Sequence, residues 1–100
     1  MDKLIQDNLN KLKDIFESHH IRKAYLFGSA TTGNLKKDSD VDILVRFDKC
    51  PFDGYAENFW DLEDKLAAVL KREVDIVPEH TLRNPYFIKS VRNSRILIYG

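Results

Sequence analysis

The sequence predicts an α+β fold, a small mixed β-sheet with helices packed mainly on one face. Three observations predict it. Apolar residues switch between helical spacing and strict alternation along the chain. Two strand-like segments are joined by a long helical one, and a crossover of that kind usually joins parallel strands. The first two strands are separated by about eleven residues, too many for a tight hairpin. At 100 residues, one domain spanning 1–100 with a single modest core is expected.

Leu4, Ile5, Leu9, Leu12, Ile15 and Phe16 recur at helical spacing and predict one amphipathic helix over 3–18. Lys23 to Phe27 is short, aromatic and apolar, which predicts a strand stopped by Gly28. Residues 29–39 are small and polar and suit a loop, with one helical turn near Ser29. Val41, Ile43, Val45 and Phe47 alternate with Asp42, Leu44 and Arg46, the pattern of a strand with one buried face. After a break from Cys50 to Gly54, Phe59, Leu62, Leu66, Val69 and Leu70 predict a helix over 56–71. Glu73 to Val77 reads as a short strand closed by Pro78. Asn84-Pro85 is a helix start, with Asn as cap and Pro at the first position, and that helix ends near Asn93. Ile96 to Tyr99 reads as an edge strand.

Composition excludes some function classes. The chain is 43% hydrophobic and 32% charged, and its 16 basic and 16 acidic residues cancel. This is too apolar for a disordered tail, and no apolar run approaches the ~20 residues of a membrane span. Neutral net charge argues against general nucleic-acid binding. Met1-Asp2-Lys3 runs straight into an amphipathic segment, so no signal peptide is expected. The single Cys50 cannot form an internal disulfide, which fits a reducing cytoplasm.

The chemistry-bearing residues are carboxylates. Asp40 and Asp42 are two apart in a strand and leave the same face, while Val41, Ile43 and Val45 anchor the opposite one. Asp75 repeats the pattern between Val74 and Ile76, so neighbouring strands would bring three carboxylates to one patch. Close carboxylates repel and raise one another's pKa. A divalent cation removes that cost, and an all-oxygen donor set suits Mg²⁺. Mg²⁺ keeps phosphate and water ligands, as in two-metal phosphoryl transfer. Gly28 at a strand end permits a tight turn and close backbone approach to a ligand. With the Ser29 hydroxyl, the N–H groups that follow are placed to hold phosphates.

Leu26-Phe27-Gly28-Ser29, ten intervening residues and Asp40-Val41-Asp42 resemble the defining motif of the DNA polymerase β-like nucleotidyltransferase superfamily. Val74-Asp75-Ile76-Val77 resembles the strand bearing its third carboxylate. Length and the C-terminal Asn84-Pro85…Ile98-Tyr99 resemble its minimal (MNT-domain) members. The resemblance implies a polymerase β palm-like fold, two Mg²⁺ ions and ATP as substrate. It implies phosphate contacts at Gly28 and Ser29, metal binding by Asp40, Asp42 and Asp75, and a base role for Asp75. It also implies a HEPN-domain partner: MNT antitoxins of HEPN/MNT toxin–antitoxin pairs transfer AMP to a toxin tyrosine. The family commonly carries Arg three residues after the motif serine, where this chain has Thr32. That loss would weaken triphosphate binding or slow transfer, with Lys36 or Lys37 as substitutes. Two other functions compete: an antitoxin that neutralises by binding alone, and a small-molecule transferase of the aminoglycoside type.

Other features read as structural. His19, His20 and His80 lack metal-ligand spacing and are expected on the surface. Of Phe59 and Trp60, one is expected in the core. Phe52 and Tyr55 are candidates to line the nucleotide cleft. Asp53 to Asp64 holds five acids and no base, and His80 to Gly100 four bases and no acid. Both blocks are expected to be solvated faces.

Overall fold

Asp2 starts the first helix by accepting a 2.9 Å hydrogen bond from the Leu4 N–H. In the computed structural model, which describes residues 2–31, 40–49 and 52–100, this helix is short. It is α1 (Lys3–Asp7), and α2 (Leu9–Ser18) follows, so the single helix expected over 3–18 is broken at Asn8. The break has a local cause. The Asn8 side-chain amide donates to the Leu4 carbonyl at 2.9 Å, and its backbone N–H to Ile5. Asparagine thereby offers the backbone an alternative to the regular ladder.

Strand β1 (Ile21–Phe27) leads into a 3₁₀ turn at Gly28–Thr31, and β2 (Val41–Phe47) follows. Helix α3 (Tyr55–Leu70) crosses over to β3 (Val74–Pro78), and α4 (Pro85–Ser94) precedes β4 (Ile96–Tyr99). Asn84 caps α4, its side-chain oxygen accepting from the N–H groups of Tyr86 and Phe87. The sheet order is β3-β2-β1-β4. β1 is antiparallel to β2 and β4, whereas β2 and β3 are parallel across the α3 crossover. The mixed sheet predicted from connection lengths is therefore the sheet observed.

Alternation sorts each strand between two faces. Val41, Ile43, Val45 and Phe47 join Ala24, Leu26, Val74, Ile76 and Ile98 in the main core. Ile5, Leu12 and Phe16 from α1 and α2, and Leu62, Leu66 and Leu70 from α3, close that face. The other face has a smaller cluster of Tyr25, Leu44 and Val91, covered by α4. Three helices thus share one face and one takes the other.

His19 is not a surface residue as expected: it is only 4% exposed. Its Nδ1 lies 2.7 Å from the Ile15 carbonyl and its Nε2 2.6 Å from Asp61 Oδ2. Asn58 of α3 donates to the His19 carbonyl at 2.9 Å. These bonds tie the end of α2 to α3 and satisfy the buried ring. Phe59 packs against the core and Trp60 stands 62% exposed, so the neighbouring pair divides as expected. No helix among the described residues is long and apolar enough to cross a membrane.

Candidate active site

The site forms where β1 ends and β2 and β3 begin. Val41 and Ile43 are wholly buried, and this fixes the intervening Asp42 on the opposite face. Parallel pairing then sets Asp42 directly beside Asp75, its register partner on β3. Asp40 stands one residue before β2 and is exposed, as is Asp75, while Asp42 is half-buried. The sequence-predicted carboxylates therefore emerge together at one end of the sheet.

Gly28 closes the other side. Antiparallel pairing puts Phe27 opposite Asp42, so Gly28 follows immediately. Its φ is +71°, and an added Cβ would lie 2.6 Å from Asp42 Oδ2. The positive φ favours glycine here, and a Cβ would oblige the Asp42 carboxylate to shift. The chain turns sharply into the 3₁₀ segment containing Ser29, where the Thr31 hydroxyl donates to the Gly28 carbonyl at 2.8 Å. Thr32, Gly33, Lys36, Lys37, Asp38 and Cys50 lie outside the described residues.

Electrostatics record the crowding. The Asp42 carboxyl is held above the usual aspartate range, first by burial and then by the negative charges of Asp75 and Asp40. Added positive charge would lower that cost. Among the described residues no three His, Cys, Asp or Glu groups stand close enough to hold a metal ion. The donor set nevertheless fits a hard cation: carboxylate oxygens only, on adjacent strands, with one carboxyl already destabilised as an anion.

An open cleft of about 330 Å³ lies beside Asp40 and Asp75, where α3 meets the start of β3. Glu63, Asp64 and Glu73 also line it. The sequence reading missed these three. Glu63 and Asp64 were visible only as part of an acidic block, and the crossover geometry brings them here. On the same sheet face as Asp42, Arg46 pairs with Glu79 through Nη2–Oε1 at 2.8 Å and Nε–Oε2 at 3.2 Å. Phe52 and Tyr55 do not line the site. They pack with Phe47 on the face covered by α3, because Phe47 has the same strand parity as the core residues. The acidic and basic blocks fall mainly on α3 and α4, on opposite faces of the sheet.

The fold agrees with comparisons to known proteins. The profile of the family described as "Polymerase beta, Nucleotidyltransferase" matches residues 10–100. Protein MJ0128 of Methanocaldococcus jannaschii is 36% identical over 95 residues, covering 94% of each chain. Protein adenylyltransferase MntA of Thermococcus cleftensis is 39% identical over 72 residues, covering 72% of this chain and 70% of the relative. Among solved structures, a minimal nucleotidyltransferase aligns with a TM-score of 0.79 at 27% identity, covering 96% of this chain and 95% of the other. A toxin–antitoxin structure with AMP-PNP aligns with a TM-score of 0.74 at 26% identity, covering 93% and 73%. A tri-AMPylated Shewanella oneidensis HEPN toxin in complex with MNT antitoxin aligns with a TM-score of 0.67 at 25% identity, covering 95% and 71%. With its profile matched over residues 10–100 and relatives of this identity and coverage, the chain belongs to the polymerase beta nucleotidyltransferase family.

Proposed function

We propose that the chain is a Mg²⁺-dependent protein adenylyltransferase that transfers AMP from ATP to a hydroxyl of a HEPN toxin, and so acts as its antitoxin. The observation that carries this is the pairing of Asp42 with Asp75 beside the positive-φ turn at Gly28. The relatives named as protein adenylyltransferases and the AMPylated toxin complex support the donor and the partner.

Asp40, Asp42 and Asp75, not grouped closely enough for a preformed site, would hold Mg²⁺ on drawing together, and the ion would supply charge neutralisation on the triphosphate and lower the pKa of the acceptor hydroxyl. Gly28 and the turn through Ser29 hold the terminal phosphates with backbone N–H groups. Asp75, exposed at the cleft, takes the proton of the acceptor hydroxyl. The hydroxyl oxygen bonds to the α-phosphorus, the bond to the β-phosphate oxygen breaks, and pyrophosphate leaves. A cytoplasmic setting follows from ATP as donor.

The test is transfer of α-labelled ATP to a HEPN-domain protein that the chain binds, with Mg²⁺ present. Labelled partner and released pyrophosphate are expected, and both should vanish with Asp40→Asn. A partner bound and neutralised without label would overturn transfer in favour of neutralisation by contact, the reading that Thr32 motivates. Neutralisation surviving Asp40→Asn would point the same way.

A further inference from the structure

An aromatic surface borders the carboxylates and has no part in the phosphate chemistry. Phe27 shares the sheet face of Asp42. Phe87 of α4 packs edge-on against it, with ring centroids 6.2 Å apart and planes at 80°. Phe87 still keeps 41% of its surface exposed, and the adjacent Tyr86 keeps 85%. Large rings are normally driven from water. These two stand on the capped first turn of a helix that abuts the Gly28–Thr31 turn. The Asn84 cap also engages the N–H groups of Tyr86 and Phe87, so the start of α4 is not the phosphate-binding element. Phosphate is left to the Gly28 turn, and the start of α4 offers apolar surface.

The two flanks of the carboxylate row differ in chemistry. Beyond Asp75 the cleft is lined by Glu63, Asp64 and Glu73, a poor place for a nucleotide. On the Gly28 flank Phe87 packs on Phe27, the residue before Gly28, and Tyr86 adjoins Phe87 on the same helical turn. We propose that Phe87 and Tyr86 form the platform on which the nucleobase of the triphosphate stacks. The proposal rests on the nucleotidyltransferase reading above and adds the base subsite to it. A stacking platform touches the π-face that every base has, so it favours large purines and separates adenine from guanine poorly.

The test measures binding to the full-length chain of a non-hydrolysable ATP analogue and of inorganic tripolyphosphate, each with Mg²⁺. The Tyr86→Leu/Phe87→Leu double variant keeps apolar packing on Phe27 and removes both flat rings. We expect it to lose roughly tenfold in affinity for the analogue, the scale of one base–aromatic stack, and to bind tripolyphosphate as the parent does. A guanine analogue should lose about as much, and Phe87→Trp should retain or tighten nucleotide binding. Unchanged analogue affinity in the double variant overturns the platform. So does an equal loss for both ligands, which places the damage at the phosphates. Weakened partner binding with unchanged nucleotide affinity also overturns it and assigns the rings to the partner. If the parent binds neither ligand, the nucleotidyltransferase reading itself fails.

Discussion

The two faces of the sheet are built from alternate residues of the same strands, yet they answer to different demands. On one face Val41, Ile43 and Val45 meet α1, α2 and α3 in an apolar core. On the other, one residue out of phase, Asp42 faces Asp75 at one end and Leu44 meets Val91 of α4 further along. The first face is optimised for burial. The second has a covered half and an open half, and the open half tolerates a carboxyl whose charge the fold disfavours. Strand parity therefore separates stability from chemistry, and substitutions on the two faces should fail in different ways.

Asp42→Asn should show the largest effect and confine it to activity. We expect adenylyl transfer to fall by roughly 10²–10³-fold, the scale for losing one preorganised charge-stabilising group. The melting temperature should hold or rise, because burial and two neighbouring carboxylates already penalise the Asp42 anion. Thermal melts beside label transfer decide it, and a variant that unfolds early would place Asp42 among the structural residues. Leu66→Ala should do the reverse. Leu66 is fully buried between α3 and the sheet, so the fold should lose about 2–5 kcal/mol. Transfer per folded molecule should stay near normal below the transition. Denaturant titration paired with activity at low temperature separates the two.

The contrast also explains what the sequence made legible. Val41 to Phe47 displays strand period and site chemistry together, and its strand bounds appear directly in the alternation. Asp75 was readable for the same reason. The edge strand Ile96–Tyr99 and the Asn84 cap were equally plain. Features that depend on where a distant segment lands were hidden. His19 is buried because Asp61, 42 residues later, supplies a partner. Phe52 and Tyr55 went to the core face because Phe47 points there. Asn8 breaks a continuous helical period through its own side chain, and a hydrophobic pattern does not register that. Nor does the close approach of Gly28 to Asp42 appear in any local pattern.

Gly28→Ala tests that approach and should fall between the first two variants in its effect on the fold. Its φ of +71° disfavours any Cβ, and the Cβ would meet Asp42 Oδ2 at 2.6 Å. Strain of this kind costs on the order of 1–3 kcal/mol. Because the colliding atom is a carboxylate oxygen, transfer should drop as well, by pushing Asp42 aside. Pairing Gly28→Ala with Asp42→Ala isolates the collision, since the shortened side chain removes the contact and leaves only the φ cost. If the second substitution recovers none of the lost stability, the contact is not the source of the strain.

The smallest expected effect comes from Glu79→Gln, which compares the two kinds of carboxyl on the site face by their response to acid. Glu79 is held below the usual glutamate range, first by its hydrogen bond to Arg46, then by the charge of Arg46 and of Arg95 and Arg92, with burial opposing. A lowered folded pKa stabilises above the unfolded value and loses that stability as pH falls through the folded one. Asp42 has the opposite sign: its raised pKa favours folding at low pH, and that contribution is lost as pH rises through its folded value. The Arg46–Glu79 pair is partly exposed, at 44% for Arg46 and 25% for Glu79, so Glu79→Gln should cost about 1 kcal/mol at neutral pH. The difference from the parent should shrink as pH drops below the ordinary glutamate range near ~4.3. In the same melts Asp42→Asn should gain on the parent at neutral pH and converge with it in acid. A Glu79→Gln deficit that persists undiminished in acid would show that the side chain acts through packing and not through its charge.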